Sequence, residues 1–288
     1  MTPRLRETTL DTKQHILRLH ILPYFKQKTI SEISAADIRT WQNSISEKKY
    51  SSTYLKSINN QLSAVFNYAV KYYGLSANPC TIAGSIGSGA ANEMNYWRPE
   101  EYTRFRRAIS NKKHSFLCFE ILYWTGIREG ELLALTPKDI DIQNGHISIT
   151  KTYTRLYGKD IINPPKTKKS RRNVPIPQFL LDEIREYIAS TKTLKDDRLF
   201  PFTNSLLIHE MDRGCKISDV KHIRIHDLRH SHASLLISQG FDIVTVSRRL
   251  GHENVSTTLN IYSHMLPHKQ NEIIDALEKL NEENCLQQ

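Results

Sequence analysis

His226-Asp227-Leu228-Arg229-His230, a short apolar helical pattern, then Leu250-Gly251-His252, and finally Thr257-Thr258-Leu259-Asn260-Ile261-Tyr262 follow one another late in the chain. His226 and Arg229 are three apart, so on a helix they share a face. Asp242 is placed to cap a second helix over 243–250, and Gly251 sits where a helix C-terminus takes a left-handed residue. That turn puts His252 just past the helix end. Ser256 can cap a third short helix carrying Tyr262. The arrangement suits gripping and attacking a phosphate. From these residues alone, a helical hairpin with incidental histidines reads equally well.

Composition narrows the choice. The 288 residues are enough for two domains, and 39% hydrophobic with 24% charged residues is an ordinary globular balance. A formal charge of +10 points to a polyanionic partner, nucleic acid first among them, against the alternative of a merely basic surface. Cys80, Cys118, Cys215 and Cys285 are far apart and form no CxxC pair, as expected of reduced thiols in a cytoplasmic protein. No apolar run approaches the ~18 residues of a membrane span, and the N-terminus has no signal-peptide pattern, so no membrane role is expected.

Upstream, Ile16, Leu19 and Leu22 mark a helix limited by Pro23. Ser34 and Asp37 form a capping-box pattern ahead of Ile38, Trp41 and Ile45. A long helical pattern runs from Ser52 to Tyr73 and closes at Gly74. Residues 1–80 therefore read as a small helical domain, with its interspersed lysines available to phosphates or simply solvated. Residues 81–94, rich in Gly, Ser and Ala, read as a flexible linker.

A second domain, 95–288, follows. Its Phe116–Trp124 run is apolar on all sides, hence a buried helix, which breaks at Gly126 just before Arg128. An arginine beside such apolar runs needs an anion or a carboxylate, and Glu131 is one candidate. Asn144-Gly145 between two β-patterned stretches signals a hairpin. Ser148 to Thr154 reads as a continuing strand, and Val174-Pro175-Ile176-Pro177 as an edge strand. Between them, Lys166-Thr167-Lys168-Lys169-Ser170-Arg171-Arg172 is a basic run placed on a hairpin tip, able to meet phosphates. Leu180–Ile188 is amphipathic, the stretch to Ile225 is uninformative, and Ile273, Ile274, Leu277 and Leu280 mark a terminal helix able to dock on its own domain or a neighbour. The fold class expected is mainly α with a small antiparallel β-sheet.

The candidates in chain order are Arg128, Lys166, His226, Arg229, His252 and Tyr262. Arginine and lysine stabilise phosphate charge, histidine moves protons, and tyrosine is a candidate nucleophile. No acidic cluster offers a two-metal site and no GxxxxGK[ST] loop offers an ATP site, so no cofactor is expected. Exchanging a phosphodiester for a phosphotyrosyl ester needs neither.

These residues resemble the tyrosine recombinase, or phage integrase, family. Thr125-Gly126-Ile127-Arg128 with Glu131, Lys166-Thr167, His226-Asp227-Leu228-Arg229-His230, Leu250-Gly251-His252, and Thr257-Thr258 before Tyr262-Ser263-His264 match its boxes in order. The first 80 residues are similar to its helical core-binding domain. The resemblance implies that Tyr262 attacks a DNA phosphate to leave a 3′-phosphotyrosine and a free 5′-hydroxyl. Arg128 and Arg229 would clamp the non-bridging oxygens, His252 would bond one of them, His226 would take the tyrosine proton, and Lys166 would protonate the leaving oxygen. Glu131 would orient the cluster from behind.

It also implies double-stranded DNA with core-type sites as partner, and a homo-tetramer acting through a Holliday junction, docked through 271–280. Accessory DNA-bending or excision factors and a place in a bacterial cytoplasm are expected too. Relatives often carry a further N-terminal arm-binding domain; this chain begins at the core-binding counterpart. Competing readings are a type IB topoisomerase, which would relax supercoils as a monomer, and a DNA-binding regulator that keeps the fold without catalysis. A histidine phosphatase would place glycine after Arg229-His230, where Ser231 stands.

Overall fold

Residues 5–89, 94–165, 167 and 170–263 are described by the computed structural model, which divides into two compact units, Met1–Glu93 and Met94–Gln288. In the first unit, α1 (Glu7–Ile16) continues through a π-helical turn, Leu17–Ile21, into α2 (Leu22–Phe25). Sequence alone predicts a stop at Pro23. The helical path survives because Pro23 falls in the first turn of α2, where no intrahelical N–H is needed.

The Ser34–Asp37 capping box forms as its sequence predicts, with the Asp37 amide donating to Ser34 Oγ at 3.2 Å and the Ser34 amide to Asp37 Oδ2 at 2.9 Å. It starts α3 (Ala35–Ser46), whose Ile38, Trp41 and Ile45 enter the core. They meet Ile58, Leu62 and Phe66 of α4 (Ser52–Tyr72), a helix capped by Ser51.

The expected flexible linker differs from what forms. Asn78 caps a short α5 (Pro79–Ala83), whose Cys80 and Ala83 are buried in the helical core. Ile86 packs on the same core and the Ser88 amide donates to Ser52 Oγ at 2.7 Å. A Cβ on Gly87 would stand 2.1 Å from the Ser52 carbonyl oxygen, so only glycine allows this close approach. Composition marks a tether, but the stretch through Gly89 is fastened to the helical unit; residues 90–93 lie outside the described set.

The second unit is built around α7 (Lys113–Thr125), buried over most of its length as its apolar run predicts. Its one buried carboxylate, Glu120, accepts from Tyr102 Oη at 2.7 Å, Arg106 Nε at 2.8 Å and Trp124 Nε1 at 3.2 Å, which offsets its desolvation. Tyr102 and Arg106 belong to α6 (Pro99–Ile109). After the left-handed Gly126, α8 (Glu129–Leu133) begins.

The β-rich stretch is more divided than sequence suggests. Strands β1 (Ile140–Asp141), β2 (His146–Ile149) and β5 (Arg172–Pro175) form one antiparallel sheet in the order β1-β2-β5, with Ile147 opposite Val174. The Asn144-Gly145 turn spans four residues rather than two, because Asp141 pairs with His146 and its carboxylate accepts from the Gln143 and Asn144 amides. The strand expected to continue through Thr154 breaks after Ile149. Strands β3 (Thr152–Leu156) and β4 (Lys159–Asn163) instead make a separate hairpin. The basic run thus joins β4 to β5 rather than capping one hairpin.

Helix α9 (Gln178–Thr191) is the predicted amphipathic one, whereas α10 (Asn204–Ser218) occupies the stretch that looks uninformative. Its Leu207, Met211 and Cys215 recur at helical spacing and are buried. Three short helices close the described chain: α11 (Asp227–Ser238), α12 (Ile243–Leu250) and α13 (Val255–Tyr262). Asp242 caps α12 as predicted, but Asn254 rather than Ser256 stands at the start of α13. The terminal helix expected over 271–280 lies outside the described residues.

Helix α10 approaches α6 through Gly214, where a Cβ would lie 2.3 Å from Phe105 Cε2 and 2.8 Å from Ile109 Cγ2. Gly214→Ala should therefore lower stability by about 1–3 kcal/mol through overpacking. A urea unfolding midpoint that does not move would contradict this packing.

Candidate active site

Gly126 ends α7 with φ of 65°, which turns the chain sharply so that Arg128 becomes the N-terminal residue of α8. A Cβ there would meet His232 at 2.6 Å and Leu250 at 2.9 Å, so space as well as backbone demands glycine. Glu131, one turn into α8, accepts from the Arg128 amide at 2.9 Å through Oε2 and from Arg128 Nη1 at 2.9 Å through Oε1.

The same carboxylate accepts Arg172 Nη1 at 3.2 Å and Nη2 at 3.0 Å. Burial pushes the Glu131 carboxyl up, but the hydrogen bond and charge of Arg172, and then those of Arg128, outweigh it and hold it below the ordinary value.

Arg229, on the first turn of α11, is 3% exposed. Its Nη1 donates to the Gly126 carbonyl and its Nη2 to the Leu250 carbonyl, each at 2.7 Å. Both acceptors lie at helix C-termini, where carbonyls lack intrahelical partners and carry partial negative charge. Burial, and after it the charges of Arg128 and Arg172, draw the Arg229 guanidinium down to about 9; it stays protonated at neutral pH.

His252, just beyond Gly251, is held by a 2.7 Å hydrogen bond between Nδ1 and Thr258 Oγ1. Arg128 and His252 face a common cavity of about 430 Å³, with Glu131, Thr167, Ser170 and Thr257 also on its wall. Lys166 itself lies outside the described residues; its neighbours Pro165 and Thr167 line that same cavity.

Tyr262, the last residue of α13, is 1% exposed and packs with Ala233, Ile237, Ile243, Val246 and Leu250. Its hydroxyl is hydrogen-bonded at 2.6 Å to His230 Nδ1. His226, expected from the family resemblance to take this proton, stands edge-on to His230 with ring centroids 5.3 Å apart. Burial first, and then the Arg229 and Arg128 charges, lower His226. Burial and the charge of His226 bring His230 down to about 4, and burial with the Arg229 charge does the same to His252. Burial raises the Tyr262 phenol well above its ordinary value, against the opposing pull of Arg229.

Three contributors escape a reading of the sequence. His230 falls inside the His226–His230 motif without a role of its own; its place four residues after His226, on the same helical face, is the available signal. Arg172 is hidden in the basic run, and Thr258 belongs to the matched Thr257-Thr258 pair, but its bond to His252 has no local signature. Among the described residues no group of three His, Cys, Asp or Glu side chains could hold a metal ion, and no helix is long and apolar enough to cross a membrane.

Family comparison gives the class: DNA-strand-transferring recombinases with a tyrosine nucleophile. The chain belongs to the phage integrase family, whose model matches residues 96–269, while a phage integrase N-terminal SAM-like domain matches 1–46. It is 34% identical over 285 residues to the ICEBs1 integrase of Bacillus subtilis (strain 168), covering 94% of this chain and 77% of that protein. It is 30% identical to a XerC-like tyrosine recombinase of Caldanaerobacter subterraneus subsp. tengcongensis, covering 87% of this chain and 72% of that protein. In fold it is similar to the Tn1549 transposon integrase solved with transposon right end DNA, with a TM-score of 0.76 at 19% identity, covering 96% of this chain and 94% of that one.

The buried rings make stability depend on pH. His230, His232 and His252 take protons at about 4, 3 and 4 when folded, against ~6.5 for a free imidazole. Between those values the unfolded chain binds more protons, so the stability contributed by neutral burial is present above ~6.5 and is lost as pH falls towards 4. The melting temperature should drop by about 5 °C or more from pH 7 to pH 4.5. A flat profile would contradict this burial.

Proposed function

We propose that this protein is a site-specific recombinase that cuts and rejoins double-stranded DNA at the ends of a mobile element, through a 3′-phosphotyrosine at Tyr262. The observation that carries the reading is the meeting of Arg128 and His252 on one cavity, with Arg229 buried behind them and the Tyr262 hydroxyl held by a neutral imidazole. The formal charge of +10 and the DNA-bound state of its structural neighbours support a duplex as substrate. The names of its relatives, the ICEBs1 integrase and the integrases of Staphylococcus phage L54a and Mycobacterium phage L5, support integration and excision of a mobile element.

In the proposed step the scissile phosphate enters the cavity. Arg128 and Arg229 neutralise its non-bridging oxygens, where charge accumulates in the five-coordinate transition state, and His252 donates to one of them. The Tyr262 oxygen forms the new P–O bond as the bond to the 5′-oxygen breaks. A free phenol has a pKa of ~10, so the proton must leave during attack. It passes to the pair His226–His230, of which His230 holds the hydroxyl in the resting geometry. Lys166 gives a proton to the departing 5′-oxygen. One ester replaces another, so no nucleotide is consumed, and the free 5′-hydroxyl of a partner strand reverses the step. Exchange in two pairs of strands then passes through a Holliday junction within a homo-tetramer, for which 271–280 is the proposed docking segment.

Tyr262 must leave its apolar cluster to reach a phosphate in the cavity, so the described geometry is a resting one.

Incubated with a nicked duplex carrying the junction sequence of its own element, the protein should form a DNA adduct that survives SDS, in EDTA and without ATP. Tyr262→Phe should bind the duplex yet give no adduct; an adduct of normal yield there would sink the assignment. His230→Ala should slow adduct formation by about 10²-fold or more, the usual worth of a general base. Cleavage at the wild-type rate would return the proton acceptor to His226.

A further inference from the structure

Arg172 opens β5, outside every motif that marks the site, and its side chain is 8% exposed. Its guanidinium joins three segments of chain. Nη1 and Nη2 grip the two oxygens of Glu131 in α8, Nη1 also donates to the Ser170 carbonyl at 3.1 Å, and Nε donates to the Arg249 carbonyl at 2.9 Å. That last acceptor lies two residues before Gly251. A Cβ on Gly251 would stand 2.9 Å from Arg172 Cδ and 3.1 Å from its Nε and Nη1, so the turn that delivers His252 is packed directly on this side chain. Arg172 is therefore in contact with Glu131, with the end of the loop that carries Lys166, and with the turn before His252.

We propose that Arg172 is a positioning residue for strand transfer, one that keeps the positive charge of Arg128 available to the scissile phosphate by sharing Glu131. This rests on the tyrosine recombinase reading of the cavity. The electrostatic reason is simple. Glu131 with Arg128 alone is a neutral pair. Glu131 shared between Arg128 and Arg172 leaves the trio with one net positive charge beside the cavity, and the planar fork of Arg172 fixes the carboxylate in place while doing so. Lysine keeps the charge at this position but loses the fork and the third donor.

A purely structural ion pair would have a different signature. Its loss would lower the melting temperature and slow cleavage of every substrate to the same extent. The proposed role depends on the charge of the phosphate.

The test is single-turnover cleavage of the nicked junction duplex at saturating protein, with either an ordinary phosphate or a neutral methylphosphonate at the scissile position. Wild type, Arg172→Ala and Arg172→Lys are compared, and thermal melting is recorded for each. On phosphate, Arg172→Ala should be about 10²-fold slower than wild type and Arg172→Lys intermediate. On methylphosphonate, which carries no charge for Arg128 to neutralise, both variants should come within about 5-fold of wild type. An equal loss on both substrates, or no loss on phosphate, overturns the proposal. If Arg172→Ala does not fold, the Arg172→Lys pair of rates decides by the same criterion. Failure of the wild type to form an adduct on phosphate would instead remove the tyrosine recombinase reading itself.

Discussion

One carboxylate, Glu131, is gripped by two arginines, and the site depends on that imbalance. Arg128 and Arg172 both bind it, while Arg229 lies close enough for all three charges to be felt at its guanidinium. Three guanidinium groups around one carboxylate repel one another, and burial of Arg229 adds a desolvation cost. Helix ends supply part of the compensation, because Arg229 donates to the carbonyls of Gly126 and Leu250. The remainder is positive potential directed at a cavity. In the proposed reaction a phosphate entering it would relieve the repulsion, and its charge would grow in the transition state, when the arginines would act most strongly.

The fold follows from holding these groups together. Gly126 and Gly251 both take left-handed backbone and both are hemmed in by site residues or their supports. Arg249 extends the same clamp, donating from Nε to His232 Nε2 at 2.9 Å, from Nη2 to the Trp124 carbonyl at 3.1 Å and from Nη1 to the Pro175 carbonyl at 3.0 Å. Buried α7 is thereby tied to α11, α12 and β5. Tyr262 is held apart from this clamp, in the apolar cluster of α11 and α12. It sits at the end of an eight-residue helix with its phenol protonated and its hydroxyl on His230.

Much of this was legible because local chemistry wrote it into the chain. The Ser34–Asp37 box, the left-handed glycines, the long apolar run of α7 and the Asp242 cap each leave a signature of spacing. So do Arg128, His226, Arg229, His252 and Tyr262, which stand at helix starts, turns or ends. What stayed hidden depends on partners remote in sequence. Composition labels 81–94 as a tether, yet Ser52 and the helical core hold that stretch in place through Gly89. The β3–β4 hairpin arises from a pairing that alternation alone merges into the preceding strand. Helix α10 is marked only by Leu207, Met211 and Cys215 at helical spacing within an otherwise mixed stretch. Arg172 looks like any other cation in a basic run until Glu131 and the Arg249 carbonyl are seen beside it.

The central claim is covalent, and mass spectrometry of the trapped complex tests it most directly. Adduct formed by the wild-type protein on the nicked junction duplex would be digested with nuclease and trypsin. The account predicts a nucleotide on the peptide covering residues 250–269, attached through phosphate to Tyr262. A nucleotide carried by any other residue would contradict it.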